Sequence, residues 1–341
     1  MHIGVFDHLD RGAADLDSFF EDRLRLIECY DAAGVYAYHL AEHHGTPLGM
    51  APSPSVFLAA VAQRTRRLRF GPMVYCLPMY NPLRLLEEIC MLDQLSGGRL
   101  ELGVGRGISP VEAGFYGLDP SETPAMYQEA LDFVLQGLAG GDFSFEGTFY
   151  RVSDIPMILH PVQRPHPPLW YGTANPEAAT WTASNAINII SNQPPDTVRA
   201  ITDRYRATWA TSGHSHKALP MMGLSCHVVV AETEHEALES ARRGYRAWRS
   251  SFMYLWDRAG RAPVTVSYPE AFDDLAAIGL GVAGTPEQVT EAIERLAGQA
   301  GINYFVCRLA FGDLSFDESA RSLALLADRV MPELGAVTVA G

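Results

Sequence analysis

Short apolar runs alternate with longer segments of helical periodicity along most of the chain. The runs are apolar at successive positions rather than at every second one, which is typical of parallel strands buried on both faces. Eight such runs are present, at 3–7, 37–42, 68–76, 100–105, 168–172, 187–191, 221–231 and 303–310. The pattern therefore predicts eight buried strands separated by helices.

The segments between these runs carry helix-start and helix-stop signals. Ser53 and Asn81 each precede a proline and suit N-cap positions, and a glycine pair follows the second of these segments. The stretches "TPEQ" (285–288) and "SFDE" (315–318) match the capping box. These signals predict helices between consecutive strands.

Eight strand–helix units predict an α/β fold, a (β/α)8 TIM barrel, as a single domain over 1–341. A doubly wound open sheet is the alternative. The barrel is favoured because the count is eight and no N-terminal G-x-G-x-x-G is present. We expect insertions after strand 4 (108–123), before strand 5 as a hairpin (143–152), and after the strand 7 helix (258–284).

Composition narrows the class of function. The 341 residues are 48% hydrophobic and 19% charged, which allows a large core. A formal net charge of −14 argues against a nucleic-acid surface, because phosphate binding needs clustered Lys and Arg. No signal peptide and no run near the ~20 apolar residues of a membrane span is found. Five scattered cysteines predict reduced thiols in a cytoplasmic protein.

Polar residues follow most of the predicted strands. In barrels of this kind the carboxyl ends of the strands form the active-site face, so we expect these side chains to face one mouth. They are Asp7, His8, Glu42, His43, His44, Tyr75, Cys76, Arg106, Thr173, Asn175, Ser191 and Asn192.

The histidines allow three interpretations. A metal site has enough ligand types in His8, His39, His43, His44 and Asp7, but the later strand ends offer few further ligands. A structural role is favoured for His44 and for His39, which lies in mid-strand. The third interpretation is a catalytic histidine beside a phosphate-bearing cofactor.

Two stretches favour a bound phosphate. Arg106 stands between glycines in "GVGRGIS" (103–109), where the backbone can approach a ligand and a guanidinium can grip phosphate. The stretch "GTANPEAATW" (172–181) is a strand-to-helix turn whose free N–H groups can bind an anion. Together the two stretches predict a bound phosphate group.

The chain resembles the bacterial luciferase-like monooxygenases, a flavin-using family of (β/α)8 barrels. The resemblance runs nearly end to end. Its motifs are "LAEHHG" (40–45), the block "GPMVYCLPMYNPLRLLEEICMLDQLSGGRLELGVGRG" (71–107), "GTPEQV" (284–289) and "ADRVMPEL" (327–334).

The resemblance implies roles for particular residues. His43 matches the catalytic histidine, Glu42 and His44 complete its motif, and Glu112 falls near an acidic position. Met73 and Val74 fall beside the isoalloxazine ring, where relatives can have a non-prolyl cis peptide. The remaining implied FMN contacts are Arg106, Gly107, Ile108, Thr173, Ala174, Asn175 and Ser191.

The activity implied is that of an FMN-dependent monooxygenase. Reduced FMN would come from a separate flavin reductase, and dioxygen would add to it as a C4a-peroxyflavin. This species would oxygenate a small, apolar organic substrate while His43 moves a proton. Gly105 departs from the luciferase alpha subunits, which have a reactive cysteine there.

Two alternatives remain within this resemblance. One is a deazaflavin-dependent oxidoreductase, and the other is a non-catalytic flavin-binding subunit, against which the presence of both His43 and Arg106 argues. Relatives dimerise through the helices that correspond to 53–63 and 82–95, so we also expect a homodimer.

Overall fold

The computed structural model of the chain describes residues 1–12, 15–107, 109–214, 218–264 and 267–335. Its strands are β1 His2–Asp7, β2 Ala37–Leu40, β3 Arg69–Pro72, β4 Tyr75–Cys76, β5 Leu102–Gly105, β6 Gly141–Glu146, β7 Arg151–Met157, β8 Leu169–Gly172, β9 Asn188–Ser191, β10 Met222–Val230, β11 Gly281–Gly284 and β12 Tyr304–Arg308. Its α-helices are α1 Leu16–Ala33, α2 Pro54–Arg64, α3 Pro82–Ser96, α4 Pro110–Phe115, α5 Thr123–Leu138, α6 Pro176–Ser184, α7 Pro195–Thr211, α8 Glu234–Arg258, α9 Phe272–Ala277, α10 Pro286–Ala300, α11 Phe316–Leu325 and α12 Met331–Gly335.

Parallel strands form a nearly closed barrel in the order β3-β2-β1-β12-β10-β9-β8-β5-β4. The remaining gap is narrowed by Phe70 in β3, whose N–H donates to Arg99 O and whose carbonyl accepts from Glu101 N. β3 and β4 are two parts of one crossing, on either side of the peptide between Met73 and Val74. The predicted barrel of eight crossings is therefore confirmed, with the third crossing divided in two.

The barrel interior is filled by side chains that alternate along the strands. His39 lies among them, fully buried, with Nε2 2.9 Å from the Tyr304 hydroxyl. Burial lowers the pKa of His39 to about 3, so this ring is neutral. His39 is thus buried in the strand as expected, with its Nδ1 unpartnered in the described part of the chain. The apolar members of this interior cluster are Phe6, Ala41, Met73, Trp170, Ile190, Tyr304 and Val306.

The helices begin where the sequence signals place them. The Asn81 side chain accepts from two N–H groups at the start of α3, and Gly97 ends that helix in the left-handed conformation. Thr285 and Ser315 form complete capping boxes on α10 and α11. Ser53 precedes α2 as expected but makes no capping bond. Local chemistry thus fixes several strand–helix boundaries.

The three insertions have structure of their own. The first contains α4, and the second is the antiparallel hairpin of β6 and β7, as predicted. The third contains α9 and β11, which pairs with the carboxyl half of β10. Sequence analysis assigned no element to this third insertion, because "GVAG" (281–284) has too little apolar pattern to indicate a strand.

Two further findings bear on the composition-based expectations. None of the helices within the described ranges is long and apolar enough to cross a membrane. All five cysteines are free, and four of them are buried.

Candidate active site

Two groups of polar side chains lie at the carboxyl ends of the barrel strands. The first comes from the ends of β1, β2 and β4 and from α4. The second comes from the segments that follow β5, β8 and β9. Because β4 and β5 are paired, with Cys76 opposite Gly105, the two groups are neighbours at the same mouth.

Glu42 is a buried carboxylate with three partners. Its Oε1 accepts from His44 Nε2 at 2.9 Å, and its Oε2 accepts from the Tyr80 hydroxyl at 2.7 Å and from Cys76 N at 3.2 Å. Since a carboxylate only accepts, His44 Nε2 carries a proton. His44 Nδ1 lies 2.8 Å from the Tyr116 hydroxyl, so both ring nitrogens of His44 are engaged.

Glu112 joins the two histidines to helix α4. Its Oε1 lies 3.2 Å from His43 Nδ1, and its Oε2 accepts from His44 N at 2.9 Å. Ser109 caps α4 by accepting from Glu112 N at 3.2 Å. The short helix therefore holds a carboxylate against the loop that follows β2.

His43 is the histidine of this loop with a free ring nitrogen. Its Nδ1 donates to Glu112, and its Nε2 has no hydrogen bond to any residue that the structure describes. Burial lowers the pKa of His43, but Glu112 and Glu42 outweigh burial and hold it above the ordinary value. Burial raises the pKa of Glu112, yet His43 and His44 bring it below the ordinary value. The Nε2 atom can therefore give or take a proton at the mouth.

His8 packs against His43 with the opposite electrostatic tendency. The two rings stack with centroids 5.7 Å apart, and Trp248 Nε1 of α8 donates to His8 Nδ1 at 3.4 Å. Burial, followed by the cations Arg308 and His43, holds the pKa of His8 well below its ordinary value. The His8 imidazole is thus neutral, while the facing His43 imidazole favours its protonated form. His8 is therefore suited to accept a proton and His43 to donate one.

Two residues predicted to line the mouth point outward instead. Asp7 accepts from the Tyr38 hydroxyl at 3.1 Å and lies 3.5 Å from Arg23 Nη1 in α1. The Tyr75 hydroxyl lies 2.8 Å from Ser55 Oγ in α2. These two predictions were wrong because neighbouring side chains of a strand point to opposite faces, and a position at the strand end does not fix the face.

Arg106 is the cation of the second group. It is exposed and has no ion pair or hydrogen bond with residues in the described ranges. Its charge reaches Tyr171 of β8, where burial raises the pKa and Arg106 partly offsets this effect. Gly107 follows with φ +82°, a left-handed conformation that favours glycine, and its backbone lies close to Cys76.

The turn after β8 leads into the N-terminus of α6. Thr173 Oγ1 donates to Asn175 O at 3.1 Å, and Asn175 Oδ1 accepts from Ala178 N at 3.1 Å as the N-cap. Ala174 lies exposed between them. The predicted turn is thus present, and its capped helix start follows the strand that pairs with β5, the strand before Arg106.

The end of β9 completes the second group. Ser191 is buried, and its Oγ accepts from Gln193 N at 3.3 Å. The neighbouring Asn192 has a buried Oδ1 with no partner in the described part of the chain. Thr173 N donates to Ile190 O at 3.0 Å, which places this strand end against the β8 turn.

The remaining predicted cofactor contacts lie between the two groups. The peptide between Met73 and Val74 is cis, at the position where the resemblance allows one. Met73 belongs to the barrel interior and Val74 packs against it. Gly105 lies so close to Val74 that a side chain at Gly105 would collide with it. Ile108 lies outside the described residues.

The metal interpretation has no ligand set in this geometry. Within the part of the chain that the structure describes, no group of three or more His, Cys, Asp or Glu side chains is placed to hold a metal ion. The histidines have separate partners instead, such as Tyr304 for His39 and Glu42 for His44.

Comparison with known proteins identifies the family. A family model described as luciferase-like monooxygenase matches residues 1–304. The chain belongs to the luciferase-like monooxygenase family. The match spans the two groups of polar residues described above, including those of α4 and α6, and ends before Arg308.

This luciferase-like monooxygenase is similar to curated proteins over more than half of its length. The chain is 41% identical to the uncharacterized protein y4wF of Sinorhizobium fredii, over 98% of this chain and 97% of that protein. It is 27% identical to limonene 1,2-monooxygenase of Rhodococcus erythropolis, with 87% and 79% covered. It is 26% identical to the oxygenase component of the flavin-dependent trigonelline monooxygenase of Acinetobacter baylyi, with 55% and 53% covered.

Solved structures agree with this fold. Monooxygenase RslO1 from Streptomyces bottropensis superposes with a TM-score of 0.86 at 28% identity, covering 98% of this chain and 100% of that one. The oxygenating constituent of 3,6-diketocamphane monooxygenase from Pseudomonas putida, solved in complex with FMN, superposes with a TM-score of 0.81 at 21% identity. The match covers 98% of each chain. Coenzyme F420-dependent tetrahydromethanopterin reductase from Methanopyrus kandleri superposes with a TM-score of 0.71 at 19% identity, covering 97% of this chain and 99% of that one. This luciferase-like monooxygenase is thus a flavin-dependent monooxygenase.

Three residues of the site in this luciferase-like monooxygenase were not expected from its sequence. Tyr116, Trp248 and Arg308 come from an insertion, a helix and the end of β12, none of which was expected to reach the histidines. A signal for α4 was present, because Ser109 and Glu112 have the spacing of a capping box. That signal predicts the helix but not the direction of the Glu112 side chain.

Glu112→Gln in this luciferase-like monooxygenase is expected to lower oxygenation about tenfold or more, since a hydrogen bond to a charged group is worth about 1.5–3 kcal/mol. Glutamine accepts from only one of His43 Nδ1 and His44 N and turns its NH2 group toward the other. Without the carboxylate charge, the pKa of His43 falls, so the limb of the pH–rate profile that it governs moves to lower pH. A limb at the same pH in the variant and the wild type contradicts the pairing of Glu112 with His43. Glu129→Gln, at a carboxylate outside the site, is the matched control.

Proposed function

We propose that the chain is an FMN-dependent monooxygenase that uses reduced FMN and dioxygen to oxygenate a small organic molecule with an apolar body. The observation that carries this proposal is the pair of adjacent sites at one mouth. Within the described ranges, one site has a histidine whose Nε2 makes no hydrogen bond. The other has an arginine without an ion pair, which follows β5, and a capped helix N-terminus, which follows the paired strand β8.

The second group of residues suits an FMN phosphate and its ribityl chain. Arg106 is an exposed cation without a counter-charge in the described ranges, and the α6 N-terminus beside it favours an anion. The unpartnered Asn192 Oδ1 can accept from a hydroxyl group. Arg106, Gly107, Thr173, Ala174, Asn175 and Ser191 are the described residues that we propose hold FMN on this side, with Ile108 proposed from sequence alone.

The first group of residues suits proton transfer next to an apolar wall. Reduced FMN, when bound, supplies the activation of dioxygen. We assign proton movement to His43 Nε2. Glu112 keeps the ring oriented through its hydrogen bond, and Glu112 and Glu42 both favour the protonated form. His44 and Glu42 act by holding the loop, since their polar atoms are engaged. Met73 and Val74 present an apolar wall that excludes water from the flavin side.

A separate flavin reductase is the proposed partner. The sequence lacks a nicotinamide fingerprint that would indicate internal reduction. The trigonelline relative is described as an oxygenase component, which supports a second component here.

The proposal is tested by anaerobic stopped-flow absorbance. The protein is mixed with reduced FMN and then with oxygenated buffer, alone and with limonene, a bicyclic ketone or a long-chain aldehyde. We expect a flavin spectrum that differs from both reduced and oxidised FMN and that outlives free FMN under the same conditions. Oxidation at the rate of free FMN contradicts the proposal, and reduced deazaflavin is then tested in its place.

A homodimer is proposed from an apolar face shared by α2 and α3. Val56, Met91 and Leu95 are 73%, 52% and 48% exposed, and the Gln63 side chain donates to Leu95 O, which shows that the two helices are in contact. Exposed apolar patches of this kind mark interfaces. We expect light scattering at micromolar concentration to give a dimer and Leu95→Asp to give a monomer. Leu16→Asp, on α1, is the control, and a wild-type monomer contradicts the proposal.

We propose that residues 1–341 form one domain, because every barrel strand contributes to the same continuous sheet. We also propose a cytoplasmic location, since the five thiols are free.

A further inference from the structure

Arg308 is a cation inside the barrel without an acidic partner. It ends β12 and is only 2% exposed. Its polar contacts are long, 3.4 Å from Nη1 to His227 Nδ1 and 3.4 Å from Nη2 to the Tyr268 hydroxyl. Its Nε has no partner, and no Asp or Glu in the described ranges forms an ion pair with it. A fully charged group is thus held away from water without a counter-charge.

The other buried arginine of the described ranges is paired. Arg23 is 8% exposed and lies 3.5 Å from Asp7 and 3.9 Å from Asp10. Removal of a charge from water is costly unless an opposite charge accompanies it. Of these two buried arginines, Arg308 alone lacks an acidic partner in the described ranges.

Aromatic rings surround Arg308 but do not neutralise it. Its guanidinium carbon lies 5.2, 5.6 and 5.8 Å from the ring centroids of Phe6, Trp248 and Tyr268. Such contacts are attractive, yet they add no negative charge. His227 has an unpartnered Nε2. Burial, followed by the charge of Arg308, holds the pKa of His227 well below its ordinary value, so this ring is neutral as well.

A short series of contacts joins Arg308 to the oxygenation site. Trp248 packs on Arg308 and donates to His8, and His8 stacks on His43. A molecule held at one end by Arg308 would lie along these aromatic side chains and extend toward His43 Nε2. The cluster thus supplies one positive charge and an apolar wall, which together suit a molecule with an apolar body and one negative end.

We propose that Arg308 receives a carboxylate, or a comparable anionic oxygen, of the substrate. A guanidinium binds a carboxylate through two parallel hydrogen bonds, and the unpaired Nε–H is one of the donors that this geometry uses. The inference rests on the proposed function for what happens to the bound molecule, but the binding of the anion itself needs no flavin.

The test compares benzoate with benzamide, which have nearly the same shape and differ in charge. Binding is followed by tryptophan fluorescence without flavin, in the full-length wild type and in Arg308→Met, Arg308→Lys and Arg242→Met. We expect the wild type to bind benzoate at least tenfold more tightly than benzamide. Arg308→Met should lose this preference, Arg308→Lys should keep part of it, and Arg242→Met, which removes a surface pair with Asp273, should keep all of it.

Thermal unfolding and FMN binding distinguish the other outcomes. We expect Arg308→Met to unfold at or above the wild-type temperature, because a neutral side chain replaces an uncompensated charge. A drop of more than about 5 °C would instead show a structural cation and overturn the proposal. Equal binding of benzoate and benzamide by the wild type also overturns it, as does a variant that loses FMN affinity but keeps the benzoate preference. If FMN does not bind the wild type while the benzoate preference persists, the proposed function fails and this inference stands.

Discussion

His43→Ala is expected to reduce the rate of oxygenation by about 10²- to 10⁴-fold, the usual contribution of a positioned proton donor or acceptor. The variant removes the imidazole whose Nε2 makes no hydrogen bond to a described residue. Of the described partners of the Glu112 carboxylate, His44 N remains. FMN affinity should change little, because the proposed phosphate contacts lie at other strand ends. Product formation with a substrate found in the stopped-flow screen measures the first effect, and fluorescence titration with FMN measures the second.

His43→Asn separates proton transfer from orientation. An asparagine side chain can still donate to Glu112 but cannot titrate. We expect it to lose as much activity as the alanine variant. We also expect it to lack the pH limb that His43, with its raised pKa, should give the wild type. His235→Ala, at an exposed histidine, controls for the loss of an imidazole as such. If His43→Asn oxygenates the substrate at the wild-type rate, His43 acts only as a hydrogen-bond donor.

Arg106→Met is expected to weaken FMN binding by about 30- to 1,000-fold, which corresponds to about 2–4 kcal/mol for charge-assisted contacts to a phosphate. Riboflavin, which lacks the phosphate, should bind the variant and the wild type alike. The wild type therefore prefers FMN over riboflavin, and the variant loses that preference. Equilibrium dialysis against each flavin gives both dissociation constants.

Arg84→Met is the matched control for this prediction. Arg84 is exposed on α3, and its ion pair in the described ranges is with Glu88 at 3.6 Å, so its removal should leave both constants unchanged. An equal loss of affinity for FMN and riboflavin in Arg106→Met would place Arg106 against the ring system instead of the phosphate.

The barrel could be predicted from the sequence because its strands are buried on both faces. Runs such as 221–231 and 303–310 are mostly apolar on both faces, and capping chemistry at Thr285 and Ser315 marks neighbouring helices. The division of the third crossing at Met73–Val74 has no sequence signal of its own. The strand 281–284 escaped prediction because it is half glycine and owes its existence to pairing with β10.

The candidate site was only partly predictable, for a different reason. The carboxyl-end rule places Glu42, His43 and Arg106 at the mouth, but it does not give the direction of a side chain. Asp7 therefore turned out to pair with Arg23 on the outer face. Arg308 was missed because its significance lies in the absence of a partner, and a sequence shows only which residues are present.

Helix α4 has a consequence for the redesign of substrate range. In barrel enzymes the insertions are the natural segments to exchange between homologues. Here the segment after β5 also fixes the histidine loop, through Glu112 to His43 and His44 and through Tyr116 to His44. A chimera that imports a foreign segment at 109–123 will keep its proton-transfer geometry only if it retains a carboxylate and a phenol at these two positions.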